Sequence, residues 1–318
     1  MIQNPTVDIV LATYNGERFL REQIQSILDQ TYPFWRLIIR DDSSTDQTLN
    51  IINNYVAQHP DRIRLINDVT SNLGVCRNFA KLLEQSTADY TMLCDQDDVW
   101  MPTKIALTYE KMKALEGKFG REKPLLVFTD MKIVDDSLAV ISESFWRDQA
   151  FNPDIGKSLS RFLVSNVATG CTVMVNRKLR EFSLPFPQQA LMHDWWLGLI
   201  SAALGKNDYV TEPTVLYRQH DLNVVGAKWD MGISSIFKKI LNISRLMDLN
   251  RRHLLKTQQQ AETFALRYEP LLSKANYEKV MIYAQLDTMG LIKKRYYIIR
   301  HGFWWAGVIR SIVMFMTI

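Results

Sequence analysis

The stretch Leu93–Lys104, LCDQDDVWMPTK, puts Asp95, Asp97 and Asp98 within four residues, directly behind the apolar run YTMLC of Tyr90–Cys94. Carboxylates that close repel one another in water, so the crowding predicts a partner that offsets it. The apolar run reads as a buried strand, and the acidic residues then stand at its carboxyl end.

Outward from this point the chain alternates. VDIVLA (Val7–Ala12), WRLIIR (Trp35–Arg40), IRLIN (Ile63–Asn67) and LLVFTD (Leu125–Asp130) are further β-rich runs. Between them, Leu20, Ile24, Ile27 and Leu28, then Leu49, Ile52 and Val56, then Phe79, Leu82 and Leu83 recur at helical spacing. Strands alternating with helices predict βαβ units and a mostly parallel central sheet flanked by helices, an α/β fold. Ligands of such sheets bind outside the carboxyl ends of the strands. Thr13-Tyr14-Asn15 end the first strand, Asp41-Asp42 the second, and the acidic cluster the fourth, so polar groups of three strands are expected on one edge.

An Asp-x-Asp pair on an extended segment shares a face and can hold a hard divalent cation, which bridges to substrate phosphates. The plainer reading is a solvated acidic turn with Asp98 capping the next helix. In DDSSTDQT (Asp41–Thr48), Ser44 or Thr45 is expected to cap the second helix, leaving Asp42 able to accept the N3–H of uracil or thymine. Further on, ATGCTVMVN (Ala168–Asn176) and VTEPTVLYRQH (Val210–His220) read as strands, and HDWWLGLISAALG (His193–Gly205) as a helix. Asp194 there is a candidate N-cap. Trp195 and Trp196 point to different faces, one into the core and the other onto an acceptor cleft.

ATYNG, RDDSSTDQT, SNLGVCRNF and CDQDDVWMPTK, in that order, resemble family 2 glycosyltransferases of the GT-A fold; MHDWW (Met192–Trp196) and LYRQHDLNVVG (Leu216–Gly226) resemble their bacterial rhamnosyltransferase-type branch. The likeness covers residues 7–226. It implies that Thr13, Tyr14 and Asn15 line the nucleotide, that Asp42 holds the base, and that Arg77 lies near the nucleotide. It implies a Mg²⁺ or Mn²⁺ motif at Asp95 and Asp97, with Asp95 also on the nucleotide-sugar side and His220 as a third metal or pyrophosphate contact. Arg218 becomes a neighbour of the phosphates. Asp194 becomes the catalytic base, although His193 stands where many relatives have Glu. The implied reaction is inverting transfer of L-rhamnose from a dTDP-sugar donor to a lipid-linked oligosaccharide acceptor in O-antigen or capsule assembly. A UDP-hexose or UDP-N-acetylhexosamine donor is the alternative, since uracil and thymine present the same N3–H. A non-catalytic nucleotide-sugar-binding scaffold is the alternative of another class. A dinucleotide-binding oxidoreductase needs G-x-G-x-x-G after the first strand, and ATYNGERFL offers only Gly16.

Composition adds bounds. The 38 Lys and Arg against 34 Asp and Glu give a net charge of +4, too small to argue for nucleic acid. Three scattered cysteines, Cys76, Cys94 and Cys171, fit a reducing cytoplasm better than a disulfide framework; Cys94 reads as a small core residue. The first residues, MIQNPTVDIV, lack a signal-peptide pattern. Beyond a boundary expected at Gly226–Asp230, the chain turns helical and basic. Two domains are therefore expected, a catalytic 1–226 and a C-terminal 227–318. In the latter, Lys293, Lys294, Arg295, Arg300 and Arg310 are interleaved with Tyr296, Tyr297, Phe303, Trp304 and Trp305. That pattern suits the cytoplasmic membrane surface, with the protein peripheral on its inner face, or else a helix packed on protein.

Overall fold

A computed structural model describes residues 7–68, 70, 72–220 and 243–304, with only the backbone of 243–249. The expected boundary at Gly226–Asp230 and the tail beyond Trp304 lie outside the described residues.

The chain forms two compact units, one of Met1–Lys157 with Asn166–Arg218, the other of Ser158–Ser165 with Gln219–Ile318. The first unit is built on a nine-stranded sheet. Strands β1 (Val7–Thr13), β2 (Trp35–Asp41), β3 (Ile63–Leu65) and β4 (Tyr90–Cys94) pair in parallel in the order β3-β2-β1-β4. Helices α1 (Leu20–Leu28), α2 (Thr48–Gln58) and α3 (Val75–Gln85) supply the crossovers. β1 is buried along nearly its whole length because it lies between two parallel neighbours with helices over the faces, which explains its unbroken apolar run.

Past β4 the sheet changes character. A two-residue β5 (Val99–Trp100) leads into α4 (Lys104–Phe119) and then β6 (Leu125–Val134), on which a short β7 (Val140–Ser142) pairs antiparallel. Short helices α5 (Phe145–Asp148) and α6 (Leu159–Val164) follow. β8 (Met174–Asn176) inserts antiparallel between β4 and β6, α7 (Arg177–Ser183) and α8 (His193–Leu204) come next, and β9 (Lys206–Arg218) runs parallel to β6 and antiparallel to β5. The long strand expected at Ala168–Asn176 is a correction: its first half is a 3₁₀ turn, Gly170–Thr172, and only Met174–Asn176 is strand.

Buried charges lock this sheet. The Asp8 carboxylate in β1 accepts Arg36 Nε (2.9 Å), Ser86 Oγ (2.9 Å) and the N–H groups of Thr87 (2.8 Å) and Ala88 (2.9 Å). The fully buried Arg40 in β2 donates to both oxygens of Asp68, to Asp42 and to Asn78, and so fastens the loop after β3. A buried ion is tolerated only with such a complete set of partners.

In the second unit, α6 packs on α9 (Ile243–Tyr268) and α10 (Lys274–Ala284), followed by α11 (Leu291–His301). Thr257 and the buried Tyr283 hydroxyl bond at 2.7 Å, and Arg161 Nη1 donates to the Trp304 carbonyl. That α6 joins these helices has no signature in sequence, since its six residues carry no helical period of their own.

Candidate active site

The carboxyl ends of β1, β2 and β4 do meet, and hydrogen bonds weld them. Asn15 adopts a left-handed φ of 49°, which asparagine tolerates better than most residues. Its N–H donates to Ser44 Oγ (2.8 Å), and its side-chain oxygen accepts the Thr45 N–H (2.8 Å). Thr13 Oγ1 donates to Asp41 (2.8 Å). Gln96, in the acidic turn, holds the Tyr14 backbone from both sides, accepting its N–H at 2.9 Å and donating to its carbonyl at 3.0 Å. Tyr14 itself is 52% exposed, with its ring open to a ligand. Neither Ser44 nor Thr45 caps α2, contrary to expectation. Ser44 is drawn to Asp41 and Asn15, and it is the Asp46 carboxylate that accepts the Thr48 N–H, at 3.0 Å.

Asp42 is nearly buried. Its Oδ1 accepts Arg40 Nη1 (3.1 Å) and the Leu73 N–H (2.9 Å), and its Oδ2 accepts the Gly74 N–H (2.8 Å). Gly74 starts α3 at φ 76°, a conformation that favours glycine. A carboxylate offers about four acceptor positions, so one on Oδ2 remains for a further donor. Arg77, one turn into α3, is exposed.

The acidic turn departs from the expected geometry. The chain bends at Gln96-Asp97 instead of staying extended, so alternate side chains do not share a face. The ligand-capable atoms that gather within 4.8 Å of one another are those of Asp95, Asp98 and Cys171; among the described residues, neither Asp97 nor His220 belongs to that group. Of the expected set of Asp95, Asp97 and His220, Asp95 is the member that this group contains. Asp97 is half-buried at the apex of the bend, and His220 lies in the second unit. Asp98 is buried rather than a helix cap: α4 begins at Lys104 behind Thr103. The Asp98 Oδ1 accepts the Arg218 N–H at 3.2 Å, while Oδ2 has no hydrogen-bond partner among the described residues.

Burial and the charges of Asp98, Asp97 and Asp194 push the Asp95 carboxyl well above the usual range. Burial and Asp97 push Asp98 up in the same way. Beneath them lies Lys104, fully buried over the Trp100 ring at 4.8 Å, its ammonium lowered to about 8 by burial. Nothing in MPTK announces that lysine as a core residue. An orphaned carboxylate oxygen beside a second frustrated carboxylate is the donor chemistry that Mg²⁺ or Mn²⁺ takes. Cys171 is a poor fit to so hard an ion, and burial raises its thiol far above the ordinary value. The oxygen ligands therefore suit the metal, and the sulfur is packing.

Arg218 does not face open phosphate-binding space. Almost wholly buried, it donates to the carbonyls of Asp97 (2.9 Å) and Asp136 and to the Glu22 carboxylate, and its guanidinium covers the Phe19 ring at 4.4 Å. It braces the acidic turn through the Asp97 carbonyl.

Asp194 sits in the first turn of α8, whose N-cap position is Met192, so the expected N-cap is displaced. Its Oδ1 accepts the Trp195 N–H at 2.7 Å. A carboxylate there lies at the positive end of the helix dipole, and its charge is felt at both Asp95 and Cys76. Its neighbour His193 is buried with neither ring nitrogen hydrogen-bonded among the described residues, and it stacks on Phe79 at 3.8 Å with 19° between planes. Gly170, in the 3₁₀ turn, gives room to both: a Cβ there would stand 2.8 Å from His193 Nε2 and 3.4 Å from Asp194 Oδ2. Trp195 and Trp196 are both buried, so neither floors an open cleft; the Trp196 indole donates to the Ser183 carbonyl at 3.2 Å. Sequence reasoning missed Gln96, Lys104 and Gly170, because each matters through residues distant in the chain.

The chain is similar to known proteins. Residues 8–118 match the model of the family described as glycosyl transferase family 2. The chain is 29% identical over 230 residues to the dTDP-rhamnosyl transferase RfbG of Shigella flexneri, covering 68% of this chain and 74% of that one. It is 26% identical over 192 residues to WfgD of Escherichia coli, named a UDP-Glc:alpha-D-GlcNAc-diphosphoundecaprenol beta-1,3-glucosyltransferase, covering 59% and 68% of the two chains. Among solved structures, S. aureus TarS 1-349 in complex with UDP-GlcNAc superposes with a TM-score of 0.56 at 14% identity, over 92% of this chain and 78% of that one. The motifs at the ends of β1, β2 and β4, the family match and the shared architecture agree: residues 8–118 form a domain similar to glycosyl transferase family 2, within a fold similar to that of known GT-A glycosyltransferases.

Proposed function

We propose that this chain is an inverting, Mg²⁺- or Mn²⁺-dependent glycosyltransferase that moves L-rhamnose from dTDP-L-rhamnose to a lipid-linked saccharide acceptor. It would act at the inner face of the cytoplasmic membrane, in the assembly of a bacterial surface polysaccharide such as O-antigen. The observation that carries the chemistry is the position of Asp194. It stands in the first turn of α8, near enough to the Asp95 carboxylate for its charge to act there.

In the reaction, Asp194 takes the proton of an acceptor hydroxyl. That oxygen bonds to the anomeric carbon from the face opposite the diphosphate, the bond from carbon to the diphosphate oxygen breaks, and configuration inverts. An inverting glycosidase follows the same stereochemical logic with water as nucleophile. Asp95 and Asp98 would hold the metal, which would supply positive charge against the diphosphate. The backbone of Thr13, Tyr14 and Asn15 cradles the nucleotide, Asp42 accepts the pyrimidine N3–H with its remaining Oδ2 position, and Arg77 lies beside it.

The rhamnose reading draws its support from the likeness to RfbG. A UDP-hexose donor is the second reading, favoured by the fold shared with a UDP-GlcNAc complex and by Asp42, which cannot tell uracil from thymine. The likeness to WfgD supports a diphospholipid-linked acceptor.

The test is a donor screen with Mn²⁺ on a lipid-linked acceptor, run for the wild type and for Asp194→Asn. Transfer from dTDP-L-rhamnose is expected, with turnover reduced about 10²- to 10⁴-fold in the variant and nucleotide binding retained. Preference for a UDP-hexose would replace the donor, near-normal transfer by Asp194→Asn would remove the base, and binding without transfer from any donor would favour a scaffold.

A further inference from the structure

We propose that the outward face of α11 is the surface on which this protein docks to an anionic lipid bilayer. The inference deepens the reading of a lipid-linked acceptor and rests on it for its purpose, but its evidence lies within the second unit alone.

α11 buries Lys294 and Ile298, one turn apart, so the opposite side of the helix faces outward. That side carries Ile292 at 89% exposure, Ile299 at 60% and Tyr296 at 53%. At 100° per residue, Ile299, Ile292 and Tyr296 fall within about 60° of one another, an apolar stripe rather than scattered residues. Single exposed apolar side chains need no explanation, but a stripe does.

Lys293, Arg295 and Arg300, all exposed, border or interrupt the stripe, and the helix LIKKRYYIIRH holds no acidic residue. Arg300 lies 5.9 Å from the centre of the Tyr296 ring, and Lys293 lies 6.0 Å from that of Tyr297. Aliphatic side chains flanked by phenols and cations match the layered chemistry of a bilayer interface, with acyl chains, glycerol level and phosphates in turn. A second copy of this face would oppose cation to cation, which argues against self-pairing. A nucleic acid backbone would use the cations and leave the isoleucines in water. No helix among the described residues is long and apolar enough to cross a membrane, so the contact lies in the interface.

The test is sedimentation of the full chain with phosphatidylcholine vesicles, with and without phosphatidylglycerol. The wild type is expected to bind only the anionic vesicles, less at high salt. Ile292→Glu with Ile299→Glu should weaken binding by about tenfold or more. Lys293→Gln with Arg300→Gln should weaken it about 25-fold, roughly fivefold per cation, and flatten the salt dependence. Both variants should keep the wild-type circular dichroism and transfer to a soluble acceptor saccharide. Failure of the wild type to bind, or undiminished binding by both variants, overturns the inference. So does a wild-type dimer that the isoleucine variant dissolves without any vesicle binding. Vesicle binding by a protein that transfers no sugar would leave the surface standing and refute the transferase reading.

Discussion

Replacing Gly170 with alanine tests whether Asp194, the proposed base, is held by close packing. The new Cβ would lie 2.8 Å from His193 Nε2 and 3.4 Å from Asp194 Oδ2. Ordinary contact needs about 3.5 Å, so the histidine ring or the turn must move by roughly 0.7 Å. The ring is 2% exposed and one of its faces is stacked on Phe79 at 3.8 Å, so it has little room to shift. The displacement therefore passes into the start of α8, where Asp194 sits. Overpacking of this kind costs about 1–3 kcal/mol of stability, and a misplacement approaching 1 Å at a reacting group costs on the order of 10²-fold in rate. Gly170→Ala should lower turnover about 10²-fold at saturating donor, while calorimetry with the nucleoside diphosphate finds unchanged affinity. The double variant Gly170→Ala with His193→Ala removes the obstructing ring and should recover part of that rate, a coupling readable in a double-mutant cycle. Gly170→Ala with normal turnover and melting temperature, or a double variant no faster than the single, would refute the packing argument.

Other variants probe the supports of the site. Arg218→Met leaves the carbonyls of Asp97 and Asp136 without their donor, at about 1–3 kcal/mol each. Urea unfolding should show a loss of several kcal/mol, and the account fails if the midpoint is unmoved. Gln96→Ala frees the Tyr14 backbone and should weaken donor binding several-fold, roughly 1 kcal/mol, with little change in folding stability. His193 is kept neutral by burial, against the pull of Asp194. Below its ordinary value near 6.5 the unfolded chain binds a proton that the folded chain refuses, so stability falls as pH drops through that region. His193→Asn removes this contribution, so its melting temperature should fall less steeply from pH 7 to 5 than the wild type's. Parallel curves would show that His193 does not titrate differently on folding.

The sequence by itself determined the parallel half of the sheet and the edge on which chemistry gathers. Buried strands and amphipathic helices write their periods locally, and a strand's carboxyl end carries whatever polar residues follow it. That is why the meeting of the strand ends at Thr13-Tyr14-Asn15, Asp41-Asp42 and Asp95 was legible in the chain, while the roles of these residues and of Asp194 come from the family likeness. Tertiary structure decided which of the neighbouring carboxylates come together. A bend at Gln96-Asp97, fixed by Gln96 on Tyr14 and Arg218 on the Asp97 carbonyl, pairs Asp95 with Asp98 and sets aside the alternation of an extended strand. It also made Arg218 a brace of the acidic turn, buried Lys104 beside Trp100 and set Gly170 against His193 and Asp194. Those roles belong to contacts between residues tens of positions apart, and such contacts leave no period for the sequence to display.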